Sequence, residues 1–153
     1  MTGKLADRVV QKTITVRCPA EHAFRVFTDG IHTWWPLETH SLGKERAVRA
    51  VLEGRAGGRL YEVWDDGTER PWGTVTAWEP PKRLTVSWKV APEALAPTEL
   101  EVRFVPDGNG GTRVELEHRG WEALGDAAEE SFASYETGWD LVLGAFASRS
   151  TSG

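Results

Sequence analysis

The chain has 153 residues, a length that predicts one domain with room for its own hydrophobic core. Its formal net charge is −5 and no basic run interrupts that balance, which argues against nucleic acid as a partner. The single cysteine, Cys18, excludes an intramolecular disulfide, and no apolar run is long enough for a signal peptide or membrane span; a cytoplasmic protein is expected.

The elements read in chain order as follows. RVVQKTITVR (8–17) alternates, is rich in β-branched residues and predicts a strand. PAEHAFRVFTD (19–29) predicts a helix, with Pro19 in its first turn, an apolar stripe through Ala23, Phe24, Val26 and Phe27, and Gly30 as C-cap. A short, broken helix and a loop follow in TDGIHTWWPLETHSLG (28–43). Adjacent residues point in different directions on any regular element, so Trp34 and Trp35 cannot share an environment. One indole is expected to pack under the first helix and the other to cover a pocket, with Pro36 fixing the turn.

Six strands come next, over 47–53, 57–64, 72–79, 83–90, 98–105 and 112–119. The turns between them carry the chemistry of a meander: DDG (65–67), EPPKR (79–83) and DGNGG (107–111). Leu84, Val86 and Trp88 share one face, as do Leu100, Val102 and Phe104, then Val114, Leu116 and His118. Opposite them lie Glu99, Glu101, Arg103, Glu115, Glu117 and Arg119, so one face meets a core and the other water. A long helix is predicted over about 126–148, with Asp126 and Glu129 as a capping box and Phe132, Tyr135, Trp139 and Phe146 on its apolar face. At about 1.5 Å per residue it can cross the sheet. The expected architecture is α+β: one domain over 1–153, core about 8–147, with a curved antiparallel sheet of about seven strands around the C-terminal helix. Where such a sheet bends away from the helix, a pocket opens.

The eight tryptophans are too many for a core alone and suggest a lining as well. His118 falls on an inward face and is a candidate polar anchor at the cavity floor, with Trp121 standing over the same cavity. Glu62 shares a face with Leu60 and Trp64. Burial disfavours a carboxylate's charge unless a cation pairs with it, and Arg59 or His118 are the candidate partners. His40 and Ser41 are candidate ligand contacts in the loop after the twin tryptophans. The expected ligand-binding set is Trp34, Trp35, His40, Glu62, Trp64, Trp72, Trp88, His118, Trp121, Tyr135 and Trp139. The four histidines and the lone cysteine lack tight metal-ligand spacing, and no phosphate loop or nucleophile elbow is present, so neither metal nor cofactor is expected.

The element order and the segments FTDGIHTWWPLETHSLG, AGGRLYEVWDDGTERPWGTVTAWEPPKRLTVSW and VELEHRGWEALG resemble the START-like (SRPBCC) superfamily and its helix-grip fold. Within it, WGTVTAWEPPKRL and EHRGWE resemble the family named after the activator of heat-shock-protein-90 ATPase. The resemblance implies an apolar cavity between sheet and long helix that holds a small hydrophobic molecule. The eukaryotic co-chaperone has an additional N-terminal domain, and nothing before Arg8 corresponds to it, so the resemblance bears on fold more than on co-chaperone activity. Three functions are expected to compete. The first is a carrier of a small apolar or aromatic ligand. The second is a START-like cyclase or hydratase with Glu62 and His118 as acid–base pair. The third is a protein-interaction module with a chaperone or regulator as partner, marked by an exposed apolar patch.

Overall fold

Alternation of β-branched residues makes a strand of Val10–Val16 (β1) in the computed structural model of the protein, which describes residues 8–89 and 97–152. Helix α1 (Ala20–Phe27) follows directly, capped by Pro19 and burying Ala20, Ala23, Phe24 and Phe27. Gly30 does not close it. The Thr28 hydroxyl donates back to the Phe24 carbonyl at 2.7 Å. With that carbonyl satisfied, no left-handed residue is needed, and Gly30, at φ −91°, leads into the 3-10 turn Ile31–Thr33.

The sheet strands are β2 (Ala47–Leu52), β3 (Arg59–Trp64), β4 (Glu69–Glu79), β5 (Arg83–Trp88), β6 (Thr98–Pro106) and β7 (Thr112–Arg119). Val90, at the end of the fourth of the six strands expected there, lies outside the described residues, as do residues 1–7. The described residues form a seven-stranded antiparallel sheet in the order β1-β7-β6-β5-β4-β3-β2. The meander from β2 to β7 follows the short turns, and β1 then pairs with β7, Val10 opposite His118 and Val16 opposite Thr112. Register shifts interrupt β2–β3, β3–β4 and β4–β5. They add local twist, and the sheet curls.

The inward faces of β5, β6 and β7 are buried as alternation predicts. Helix α2 (Ala128–Ser152) lies across that face, packing on β1 and α1. It begins two residues later than expected. Gly125, at φ 60° and ψ −128°, breaks the helical path, and Trp121–Ala127 is a 3-10 segment that includes Asp126, the expected cap. Trp139, Val142, Leu143 and Phe146 of α2 are all buried. Phe27 meets Phe146 and Phe104 at ring distances of 5.2 and 5.7 Å, which ties α1, α2 and β6 into one core. This is the helix-grip architecture.

Candidate functional site

At the end of α2 nearest Tyr135 the sheet and helix part, and a cavity of about 270 Å³ opens between them. Trp35, Trp72, Trp88 and Trp139 supply four indole walls, and Tyr135 and Val142 continue the helix side. Trp35 lies 4.8 Å from Trp72 and 5.9 Å from Trp139, ring centre to ring centre. The rest of the wall comes from the loop after the twin tryptophans, through Thr39, His40, Ser41, Leu42 and Lys44, and from Ser134 and Gly138 on α2.

The two adjacent tryptophans do separate. Trp34 is buried, donates its indole N–H to the Val26 carbonyl of α1 at 2.8 Å, and packs on Phe27 and Phe146. Trp35 turns to the cavity and donates to the His40 carbonyl at 2.7 Å. That bond helps the loop hold its shape, as does the Ser41 hydroxyl donating to the Leu37 carbonyl at 2.6 Å.

A second, fully polar-satisfied layer lies beneath the cavity. His118 is completely buried. Its Nδ1 accepts from Trp139 Nε1 at 3.1 Å, so its Nε2 donates to Thr98 Oγ1 at 2.7 Å. Trp121, also fully buried, packs tilted against the His118 ring with ring centres 4.4 Å apart and donates to the His118 carbonyl. Burial, and then the neighbouring Arg119 charge, push His118 down to about 3, so the imidazole is neutral at ordinary pH. With both nitrogens engaged and Trp88, Tyr135 and Trp139 against it, His118 holds the cavity walls and does not reach the cavity.

Glu62 is likewise completely buried, and the cation expected beside it is not there. Arg59 turns outward to Glu53 and Glu69 at 3.1 and 3.0 Å. The carboxylate is satisfied instead by four N–H donors. Oε1 accepts from Leu42 N at 2.7 Å and Trp72 Nε1 at 2.6 Å. Oε2 accepts from Gly43 N and Trp64 Nε1, both at 2.8 Å. Four N–H donors fill the acceptor capacity of a carboxylate. Each oxygen therefore joins the cavity loop to an indole of the sheet. Gly43 is required for this approach, because a Cβ there would run into the Trp64 ring.

Of the expected set, the structure brings Trp35, His40, Trp72, Trp88, Tyr135 and Trp139 to the cavity wall, and leaves Trp34, Glu62, Trp64, His118 and Trp121 behind it. Glu62 and His118, the expected acid–base pair, do not line the cavity. Sequence reasoning missed Thr39, Leu42, Lys44, Ser134, Gly138 and Val142. Three of these carried a signal: Ser134, Gly138 and Val142 recur every four residues, one row of a helix face, and a glycine inside a helix marks a close approach. A larger groove of about 450 Å³ runs between α1 and the β4–β5 turn, but Phe24, Trp78, Pro80 and Pro81 dominate it and its charged residues, Glu21, Arg25 and Asp29, all belong to α1 and the residues just after it. Among the described residues no cluster of His, Cys, Asp or Glu has the makings of a metal site, and no helix is long and apolar enough to cross a membrane.

The sequence model of the family described as Activator of Hsp90 ATPase homolog 1-like protein matches residues 17–149. The chain belongs to that family. No curated protein matches the sequence. Among solved structures, the chain is similar to an anthrahydroquino-gamma-pyrone synthase, Txn09, at 41% identity over 80% of this chain and 82% of that one, with a TM-score of 0.57. It is similar to CalC from Micromonospora echinospora, a self-sacrificing resistance protein, at 26% identity over 95% and 96%, with a TM-score of 0.73. An Hsp90 activator from Plasmodium falciparum matches at 22% identity over 72% and 71%, with a TM-score of 0.52, a likeness of fold alone.

Proposed function

We propose that this protein binds a planar aromatic small molecule in the cavity between the sheet and α2. The observation that carries this reading is the convergence of four indoles and Tyr135 on one half-open cavity. Ring faces favour offset-stacked and edge-on contact with another aromatic, and closing them over a ligand removes apolar area from water at about 25 cal/mol per Å². The polar loop residues on one side set orientation. A second reading, catalysis on such a molecule, draws support from the 41% identical synthase. In that reading the reacting groups come from the cavity wall and not from Glu62 or His118.

The test is titration of anthraquinone-type compounds against intrinsic fluorescence. Saturable quenching is expected. Trp35→Ala should weaken binding roughly tenfold or more while leaving the fold intact, and Trp34→Ala should mainly lower stability. Equal stability losses at both positions, with no binding by the intact protein, would sink the reading; recovery of a stoichiometric protein partner in that case would favour an interaction module. Among the described residues the large exposed apolar side chains are Leu42, Val48 and Leu141, which sit on three different elements.

A further inference from the structure

Three groups on the cavity wall can hold or move a proton: His40, Lys44 and Tyr135. Among the described residues no carboxylate joins them there. Lys44 is engaged, donating from Nζ to the Thr39 carbonyl at 2.8 Å. The Tyr135 oxygen accepts from Trp88 Nε1 at 2.9 Å. Burial raises its pKa against that hydrogen bond, so it keeps its proton, and the O–H has no acceptor among the described residues.

His40 is different. Its Nδ1 lies 2.7 Å from Thr39 Oγ1. Either imidazole tautomer fits this short contact; with Nδ1 as the donor, the Thr39 hydroxyl turns to the Pro36 carbonyl 3.5 Å away. Nε2 has no partner among the described residues, and in the tautomer protonated at Nδ1 it presents a bare lone pair. It lies over Gly138, 3.4 Å from where a Cβ at that position would stand. Tyr135 is three residues away on the same helix face. Burial, and then Lys44, lower the His40 pKa, which keeps the imidazole neutral and able to accept. The charged or titratable cavity groups around it are Lys44 on its own loop and Tyr135 on α2; the sheet side contributes Trp72 and Trp88.

We infer that the cavity takes a phenolic aromatic, with His40 Nε2 as acceptor of the phenol proton and the Tyr135 hydroxyl as donor to a second ligand oxygen. The ligand O–H bond breaks with its electron pair left on oxygen, and an Nε2–H bond forms. The phenolate is faced by the imidazolium and by the Lys44 charge, and the proton returns from Nε2 when the ligand leaves or its oxygen has reacted. No oxidant or reductant is needed. This assignment rests on the aromatic-ligand reading above and narrows it to a substrate class, with general-base chemistry at a stated atom.

The experiment compares 2-hydroxyanthraquinone with anthraquinone by fluorescence quenching, in the intact protein and in His40→Ala and Thr39→Val. The intact protein should prefer the hydroxylated probe by roughly tenfold, and His40→Ala should bring the ratio to within about twofold of unity, with Thr39→Val between them. In parallel, the nitrogen resonances of His40 in the intact protein should show a bare Nε2 that moves toward the N–H position when the hydroxylated probe is added, which needs no variant to fold. An undiminished preference in His40→Ala, no preference in the intact protein, or an Nε2 already protonated before ligand overturns the assignment while leaving the aromatic cavity standing. If neither probe quenches, both fall.

Discussion

Glu62 is where one residue decides the most. Its two oxygens hold Leu42, Gly43, Trp64 and Trp72, so the cavity loop and one indole wall hang on the same carboxylate. Glu62→Gln keeps the size but turns one acceptor into a donor, leaving two N–H groups facing an N–H. The expected loss is roughly 2–4 kcal/mol, the scale of buried, charge-assisted hydrogen bonds left unmade. Amide exchange at Leu42 and Gly43 should quicken in the same variant; unchanged exchange there would show that the latch lies elsewhere. Trp34 and Trp35 make a second point at this scale. Identical side chains one residue apart take opposite roles, because the 3-10 turn before them aims one at α1 and the other at the cavity.

Helix α2 is the element that serves both core and cavity. Its Trp139 is buried, touches Trp35 and Trp88, and donates to His118. Trp139→Ala should cost roughly 3–5 kcal/mol, as large aromatic deletions do in cores. Glu136→Ala, on the exposed face, should cost under about 0.5 kcal/mol. Urea midpoints that shift equally in the two variants would show the helix facing the other way. The row Ser134, Gly138 and Val142 on this helix belongs to the cavity, and Gly138 is the position that lets His40 lie against the helix backbone.

At the scale of the whole molecule, two charge systems set how stability responds to acid. On the outer face of the sheet Arg83, Arg103 and Arg119 knit Glu99, Glu101, Glu115 and Glu117 across three strands. Burial works against the Glu101 charge, but hydrogen bonds from Arg119, Arg83 and Arg103 outweigh it and bring the carboxyl from 4.5 to about 2. His118 falls from 6.5 to about 3. In both cases the unfolded chain takes up a proton at a pH where the folded one does not. Stability is therefore full above the unfolded value and is lost as pH falls toward the folded one. His118 acts first, below about pH 6.5, and Glu101 joins below about 4.5. Between pH 7 and pH 5 the intact protein should lose roughly 1–2 kcal/mol more than His118→Asn, read from urea midpoints at the two values. Parallel curves would show that His118 is not the buried neutral group described. The sequence by itself determined the strand and helix order, the two faces of the late strands and the buried side of α2, because those follow from local periodicity and turn chemistry that each segment carries alone; the fold family was legible through the resemblance of whole segments. It marked His118 as inward from alternation, left Glu62 on a strand with apolar residues on both faces, and marked Trp34 and Trp35 as unlike because neighbours on a regular element point apart. Only the tertiary structure decided what those groups do. Glu62 meets amides 19 and 20 residues away, and His118 meets Thr98 and Trp139 from two other elements, so their partners depend on curl and register that no local window contains. The same long-range geometry sank both polar groups one layer beneath the cavity and brought His40, from a loop with no periodicity to read, to its wall.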